Sequence, residues 1–325
     1  MTSMQLSSGD LVADRRADYA EMLFASGEQA AAADLLAETL QLVPGWAAGW
    51  YRLGEMRETA GDLAGAADAW TEALRQDPND RLGASMKLGL IGAAHQIDAP
   101  PSAFVAALFD QYAERFDQSL VEKLAYRVPE LIAQALVQAG AGSFAHVVDL
   151  GCGTGLMGER LRHVASFIEG YDLSAQMLKR AQAKGVYDRL TLQDLQTFAP
   201  GELRADLVVA ADVFLYVGAL ERLLAATAVV CTQGGFLAFS VEHHAGPEPL
   251  VLRASRRYAH SERYLRDLLA ASGYQVVSIE PAAIRMDRGE PIEGLIVIAR
   301  RGQDVREGAV ETTTVPLPVV LEALN

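Results

Sequence analysis

What the chain has little of narrows its chemistry first. Only two cysteines occur in 325 residues, Cys152 and Cys231, and neither belongs to a CxxC pair or a zinc-ligand run. A disulfide framework and a cysteine zinc site are therefore set aside, and a metal site from Glu242, His243, His244 and His260 is not expected because adjacent histidines lack a helical i,i+4 or Cys/His framework. Basic side chains are scarce: 28 Lys and Arg stand against 42 Asp and Glu, a formal charge of -14. Such a surface repels polyanions and disfavours nucleic acid as a partner. No uninterrupted apolar run reaches membrane-spanning length, and MTSMQLSSGDLVADRR carries its charges early with no apolar signal core. A cytoplasmic protein without a membrane span is expected. What is present is hydrophobic: 50% of the residues are apolar, enough for a packed globular chain, and the length favours two domains.

Residues 11–96 read as an all-α, tetratricopeptide-like domain. Gly27, Ala32 and Pro44 recur 34 positions later as Gly61, Ala66 and Pro78, and Leu36 is answered by Trp70. In the second copy Trp50, Leu53, Gly54, Gly61, Ala66, Trp70, Ala73 and Pro78 stand at the tetratricopeptide spacing. Gly54 and Ala66 would allow two helices to cross closely, Gly61 would permit the turn, and Pro78 would end the second helix. Two repeats are too few to be stable alone, so packing against residues 81–100 or a second domain is expected. The repeats could cap the fold, dock a protein or peptide, or form a homodimer.

Adjacent prolines in IDAPPSA, residues 97–103, mark the domain boundary. Residues 102–130 follow as a helical segment with aromatics at 104, 109, 112 and 116. From 131 to 300, apolar strands alternate with helices, which predicts an α/β fold whose parallel sheet is covered on both faces. Two late strands, YQVVSIE and EGLIVIAR, read as an antiparallel hairpin turning near Asp287 to Glu290. The tail, 301–325, contains VPLPVVLEAL, whose prolines argue against a central strand.

DLGCGTG, residues 149–155, leaves the first strand of this domain. Gly151, Gly153 and Gly155 would let the backbone approach a ligand. GTGLMG, from 153, also fits the dinucleotide pattern G-x-G-x-x-G, and Asp172 suits a ribose diol in either case. Charge discriminates between them. Asp149, Asp172, Asp194 and Asp212 stand at strand ends, and the loop holds no lysine or arginine. A pyrophosphate would be repelled there, whereas a ligand bearing an ammonium and a sulfonium would be favoured.

VVDLGCGTGLMG, EGYDLSAQML, TLQDLQTF and ADLVVAADVFLYV together resemble the class I S-adenosylmethionine-dependent methyltransferases. FDQYAERFDQSLVEKLAYRVP and RRYAHSERYL are similar to stretches of bacterial members with an N-terminal tetratricopeptide region. The resemblance implies a Rossmann-like seven-stranded sheet, with S-adenosyl-L-methionine as cofactor and S-adenosyl-L-homocysteine as product. It implies that the methionine part sits over Gly151 and Gly153, with Asp149 nearby and the main chain at Ala211 taking the ammonium. Asp172 would take the ribose, Leu173 and Met177 the adenine, and Asp194 with Leu195 its edge. Tyr112 and Phe116 would close the pocket.

Methyl transfer from a sulfonium needs alignment and exclusion of water, and a base only where the acceptor must lose a proton. Candidate bases or substrate contacts at the rim are Glu242, His243, His244, His260 and Tyr216, and Arg256, Arg257, Arg263 and Arg285 form a basic contrast that could recognise a carboxylate or phosphate on the acceptor or serve as solvated ion-pair partners. The expected function is methyl transfer to oxygen or nitrogen of a small-molecule or protein acceptor. A silent adenosyl-ligand scaffold and an NAD-dependent oxidoreductase stand as alternatives.

Overall fold

The computed structural model describes residues 7–94, 97–114, 116–118, 125–287 and 289–302. VPLPVVLEAL and residues 119–124 of the expected lid lie outside that set.

The chain starts with four helices in two hairpins, α1 (Leu11–Ala25) with α2 (Gln29–Leu42) and α3 (Ala47–Thr59) with α4 (Leu63–Gln76), followed by a short α5 (Ala84–Leu90). A turn of three residues forces each pair antiparallel. The seam of the second hairpin is set by Trp70, fully buried, whose indole N–H donates to the Tyr51 carbonyl at 3.1 Å. A Cβ on Gly54 would lie 2.2 Å from that indole nitrogen, so glycine is what permits the crossing.

Next come α6 (Ser102–Tyr112), the short turn α7 (Phe116–Gln118) and α8 (Val128–Gln138), and then the sheet begins. In chain order the remaining elements are β1 (Phe144–Leu150), α9 (Leu156–Leu161), β2 (Ala165–Asp172), α10 (Ala175–Lys184), β3 (Arg189–Leu192), β4 (Ala205–Ala210), α11 (Glu221–Val230) and β5 (Cys231–His243). They are followed by β6 (Leu250–Leu252), β7 (Tyr258–His260), α12 (Glu262–Ala271), β8 (Tyr274–Asp287) and β9 (Glu290–Arg301).

The sheet runs β3-β2-β1-β4-β5, all parallel, and continues antiparallel through β9 and then β8. Ile132, Leu136, Met157 and Leu161 of α8 and α9 pack on one face. Leu223, Leu224, Leu265 and Leu269 of α11 and α12 pack on the other. The fold is α/β and Rossmann-like, with a mixed sheet.

Seven strands were expected, and nine are present among the described residues. The additional pair is β6 and β7. At Glu242 one edge of β5 is taken by Gly294 of β9, and β4 leaves the other edge after Phe239. β7 fills that vacated edge, pairing at Glu242 and His243, and carries β6 with it. The ribbon thereby extends the sheet beyond the carboxyl end of β4, where ligands bind in such folds.

This ribbon also joins the two halves of the chain. Met86 of α5, Phe104 and Val105 of α6, and Tyr258 of β7 form one buried cluster. The Tyr258 hydroxyl donates to the Ile97 carbonyl at 2.6 Å, and Ala219 N–H donates to Asp98 at 2.7 Å. The helical region thus packs both on the 81–94 stretch and on the sheet domain.

Candidate functional site

A cavity of about 420 Å³ lies over the carboxyl ends of the strands, roofed by α6 and α7. That volume is in the usual range for small-molecule pockets. Three clasps hold the roof down. Ser102 donates to Asp194 at 2.5 Å, Ser174 donates to Asp110 at 2.6 Å, and Thr154 donates to Asp117. Phe104, Val105, Leu108 and Phe109 face inward, while Tyr112, 54% exposed, stands at the mouth.

The glycine loop does three separate jobs. Gly151 has φ +68°, and a Cβ there would lie 2.5 Å from Val213, so its bareness serves packing beneath the loop. Gly155 has φ +96° and starts α9 away from the cavity, with Tyr187 3.0 Å from its would-be Cβ. Only at Gly153 is the space open, the nearest atom being Phe116 at 3.9 Å. Close approach of a ligand to the backbone is therefore localised at Gly153 and its neighbours.

The aspartates also separate. Asp172 lines the cavity; its two oxygens accept from Gly153 N–H and Ser174 N–H, each at 2.8 Å. Burial pushes its pKa up to about 6 despite those bonds. Asp194 also lines the cavity, beside Leu195, with Leu173 and Met177 supplying apolar wall. Asp149 is different: it is buried below the loop, accepts from the Tyr187 hydroxyl at 2.6 Å, and does not reach the cavity wall. Its second oxygen has no partner, and burial raises its pKa to about 7. Any influence of Asp149 on a ligand is electrostatic, through the loop.

Asp212 sits in the left-handed region at φ +60° and lines the cavity next to Ala211, whose carbonyl accepts from Tyr126 at 3.4 Å. The expectation of an unopposed carboxylate here is corrected. Arg285 of β8 donates to both Asp212 oxygens, at 2.9 and 3.0 Å, and also to Glu242. Arg285 is 2% exposed, so reading it as a solvated partner is corrected too. Its inward aim follows from a bulge: Ala283 and Arg285 oppose the consecutive residues Glu293 and Ile292, leaving Ile284 extra. Arg263, by contrast, is 92% exposed beside Asp267.

Of the five base candidates, Tyr216 alone lines the cavity. It packs edge-on against Phe109 at 4.9 Å, and its hydroxyl accepts from Arg257 Nε at 3.0 Å. Burial raises its pKa against the opposing pull of Arg257, which keeps the phenol protonated near neutrality. The structure places the three histidines elsewhere. His260 is fully buried in β7, where its Nε2 lies 2.7 Å from the Gly218 carbonyl. A carbonyl only accepts, so that nitrogen carries the proton. Burial lowers the His260 pKa to about 4. His244 pairs with Glu248 at 2.9 Å outside the cavity, and the His243 carbonyl accepts from Arg253 at 2.5 Å. Among the described residues no cluster of His, Cys, Asp and Glu could hold a metal. Sequence reasoning did not find Tyr126, Tyr187 or the link between Arg285 and Glu242; the strand-end aspartates were the signal that led to their neighbourhood.

Residues 148–237 match a family model described as a methyltransferase domain. Methyltransferase-like protein 27 of Homo sapiens is 41% identical over 106 residues, covering 31% of this chain and 42% of that protein. Trans-aconitate 2-methyltransferase of Delftia acidovorans is 30% identical over 185 residues, covering 56% of this chain and 60% of its own. A solved structure of magnesium protoporphyrin IX methyltransferase from Synechocystis with bound SAM is 20% identical, with TM-score 0.48, covering 62% of this chain and 97% of that one. The chain thus spans about half the length of the first two relatives. The matched segment holds the glycine loop and Asp172, Asp194 and Asp212, so the part of the chain that lines the cavity is similar to a methyltransferase domain.

Proposed function

We propose that the protein transfers the methyl group of S-adenosylmethionine to an oxygen or nitrogen of a small-molecule acceptor. The observation that carries this reading is one roofed cavity lined by two unlike sets of polar groups: Asp172 and Asp194 with the open Gly153 backbone, and Tyr216 with Arg256 and Arg257. The residues present suit the cofactor. Asp172 would accept from its ribose, Leu173, Met177 and Leu195 would flank the adenine with Asp194 at its edge, and the main chain at Gly151, Gly153 and Ala211 would border the methionine part. When bound, the cofactor supplies a methyl group already activated on a sulfonium.

The chain's own part is alignment and exclusion of water. α6 and α7 close the cavity, and the clasps of Ser102 with Asp194, Asp110 with Ser174 and Asp117 with Thr154 set how tightly. The Tyr216 hydroxyl, receiving a hydrogen bond from Arg257, keeps its proton to donate to the acceptor and orient its lone pair. Trans-aconitate 2-methyltransferase and the ubiquinone biosynthesis O-methyltransferases, by their names, methylate small molecules, in line with a roofed cavity. For residues 11–96 we propose a helical domain with a pair of tetratricopeptide repeats, whose Tyr51 and Leu82 stand against Arg256 at the cavity wall.

The test is incubation of a lysate lacking this activity with the protein and methyl-labelled cofactor. Label in small molecules is expected. Label only in macromolecules would overturn the acceptor class, and absence of S-adenosylhomocysteine binding would overturn the reaction.

A further inference from the structure

Arg256, Arg257 and Arg285 line the cavity, Arg253 shares Glu242 with two of them, and three of these four arginines are neutralised. Arg285 lies between Asp212 and Glu242. Arg253 reaches Glu242 at 3.4 Å, and Arg257 faces Asp287 at 3.6 Å and Glu242 at 3.9 Å. Arg253, Arg257 and Arg285 are thus matched by Asp212, Glu242 and Asp287. Arg256 is not. Its Nη1 donates to the Tyr51 hydroxyl at 3.0 Å and the Leu82 carbonyl at 3.1 Å, both neutral, and its guanidinium lies 4.7 Å from the centre of the Phe104 ring. Among the described residues no carboxylate forms an ion pair with it. The nearby Asp80 is occupied, accepting from Ala84 N–H, Ser85 N–H and the Ser85 hydroxyl.

The backbone marks the same residue. Arg256 sits in the hairpin between β6 and β7 at φ +60°, a position glycine would take without strain. The two N–H groups on Nη1 are used, which leaves the Nε and Nη2 edge. That edge matches the paired oxygens of a carboxylate or phosphate. Phe104 lies against it, and the apolar Val105 and Phe109 line the same cavity.

We propose that the acceptor is a small molecule with an apolar body and an anionic group, carboxylate or phosphate, and that the anion seats on Arg256. Tyr51, from the helical region, is the positioning residue that holds the guanidinium at the wall. This gives the N-terminal helices a role in acceptor recognition, and it rests on the methyltransferase reading for the word acceptor.

Calorimetry with phenylacetate, phenyl phosphate and the neutral phenylacetamide tests the proposal, in protein with and without S-adenosylhomocysteine. One or both anions should bind at least roughly tenfold more tightly than the amide, the worth of one charge-assisted hydrogen bond. Arg256→Gly relieves the backbone while removing the charge, so it should fold; it should lose the preference and keep its S-adenosylhomocysteine affinity. Tyr51→Phe should narrow the anion-to-amide ratio, a readout that general destabilisation would not move. Equal binding of anions and amide, no binding of either anion, or a preference retained in Arg256→Gly would overturn the proposal. Failure of S-adenosylhomocysteine to bind would instead refute the cofactor reading, with the anion result still read in the free protein.

Discussion

Replacing Asp172 by Asn separates charge from shape at the most informative residue of the cavity. The carboxylate accepts two backbone N–H bonds at 2.8 Å and has lone pairs left for a ribose diol. An amide turns one acceptor into a donor, leaving either Gly153 or Ser174 N–H facing another N–H. The loss should be about 1 to 3 kcal/mol of cofactor affinity, roughly 5- to 150-fold in Kd. The pH dependence adds a second signature. The folded pKa, about 6, lies above the ordinary 3.8 because burial disfavours the charge. Stability from the protonated form is therefore complete below about pH 4 and lost as pH rises through 6, with an upper size of about 3 kcal/mol. Asp149, at about 7 and raised partly by Asp172, extends this window as a coupled pair. Cofactor binding favours the ionised form, so wild-type affinity for S-adenosylhomocysteine should fall as pH drops from 7.5 to 5. Calorimetry across that range, with urea melts of the ligand-free protein, reads both effects. Wild-type affinity flat over the range, or Asp172→Asn binding as well as wild type, would refute the reasoning.

Arg285→Met leaves Glu242, 2% exposed, without its closest cation and should destabilise by about 3 to 5 kcal/mol in urea unfolding; adding Glu242→Gln should recover part of the loss. Gly54→Ala forces a methyl into the Trp70 indole and should cost about 1 to 3 kcal/mol, read as a lower melting temperature. Once an acceptor is in hand, His260→Gln should lower stability yet leave the pH dependence of kcat/KM between 5 and 8 unchanged, since its pKa of about 4 lies below that range. Tyr216→Phe should lower kcat with S-adenosylhomocysteine affinity unchanged, and an unaltered kcat would remove Tyr216 from the reaction.

The parts of the site written into local sequence were legible. A strand, a glycine turn and a helix are contiguous, so DLGCGTG is recognisable from its own residues and their immediate flanks. The strand-end positions of Asp172 and Asp194 follow from the apolar runs that precede them. What local pattern could not carry was long-range pairing. β6 and β7 are three residues each, too short for a periodic signal, and they exist because β4 ends early beside β5. That ribbon buries His260, which a rim position had made resemble a base. Arg285 enters the core through a bulge, so two successive residues of β8, Ile284 and Arg285, are buried where strict alternation would expose one. Asp149 reads in sequence like its neighbours, yet lies beneath the loop because Tyr187, 38 residues later, covers it.

A crystal structure of the protein with S-adenosylhomocysteine tests the central claim most directly. The ribose should lie on Asp172 and the adenine between Leu173, Met177 and Leu195. The sulfur should point along the cavity toward Tyr216. Occupancy of another site, or a ligand turned so that its sulfur faces away from Tyr216, would contradict the account.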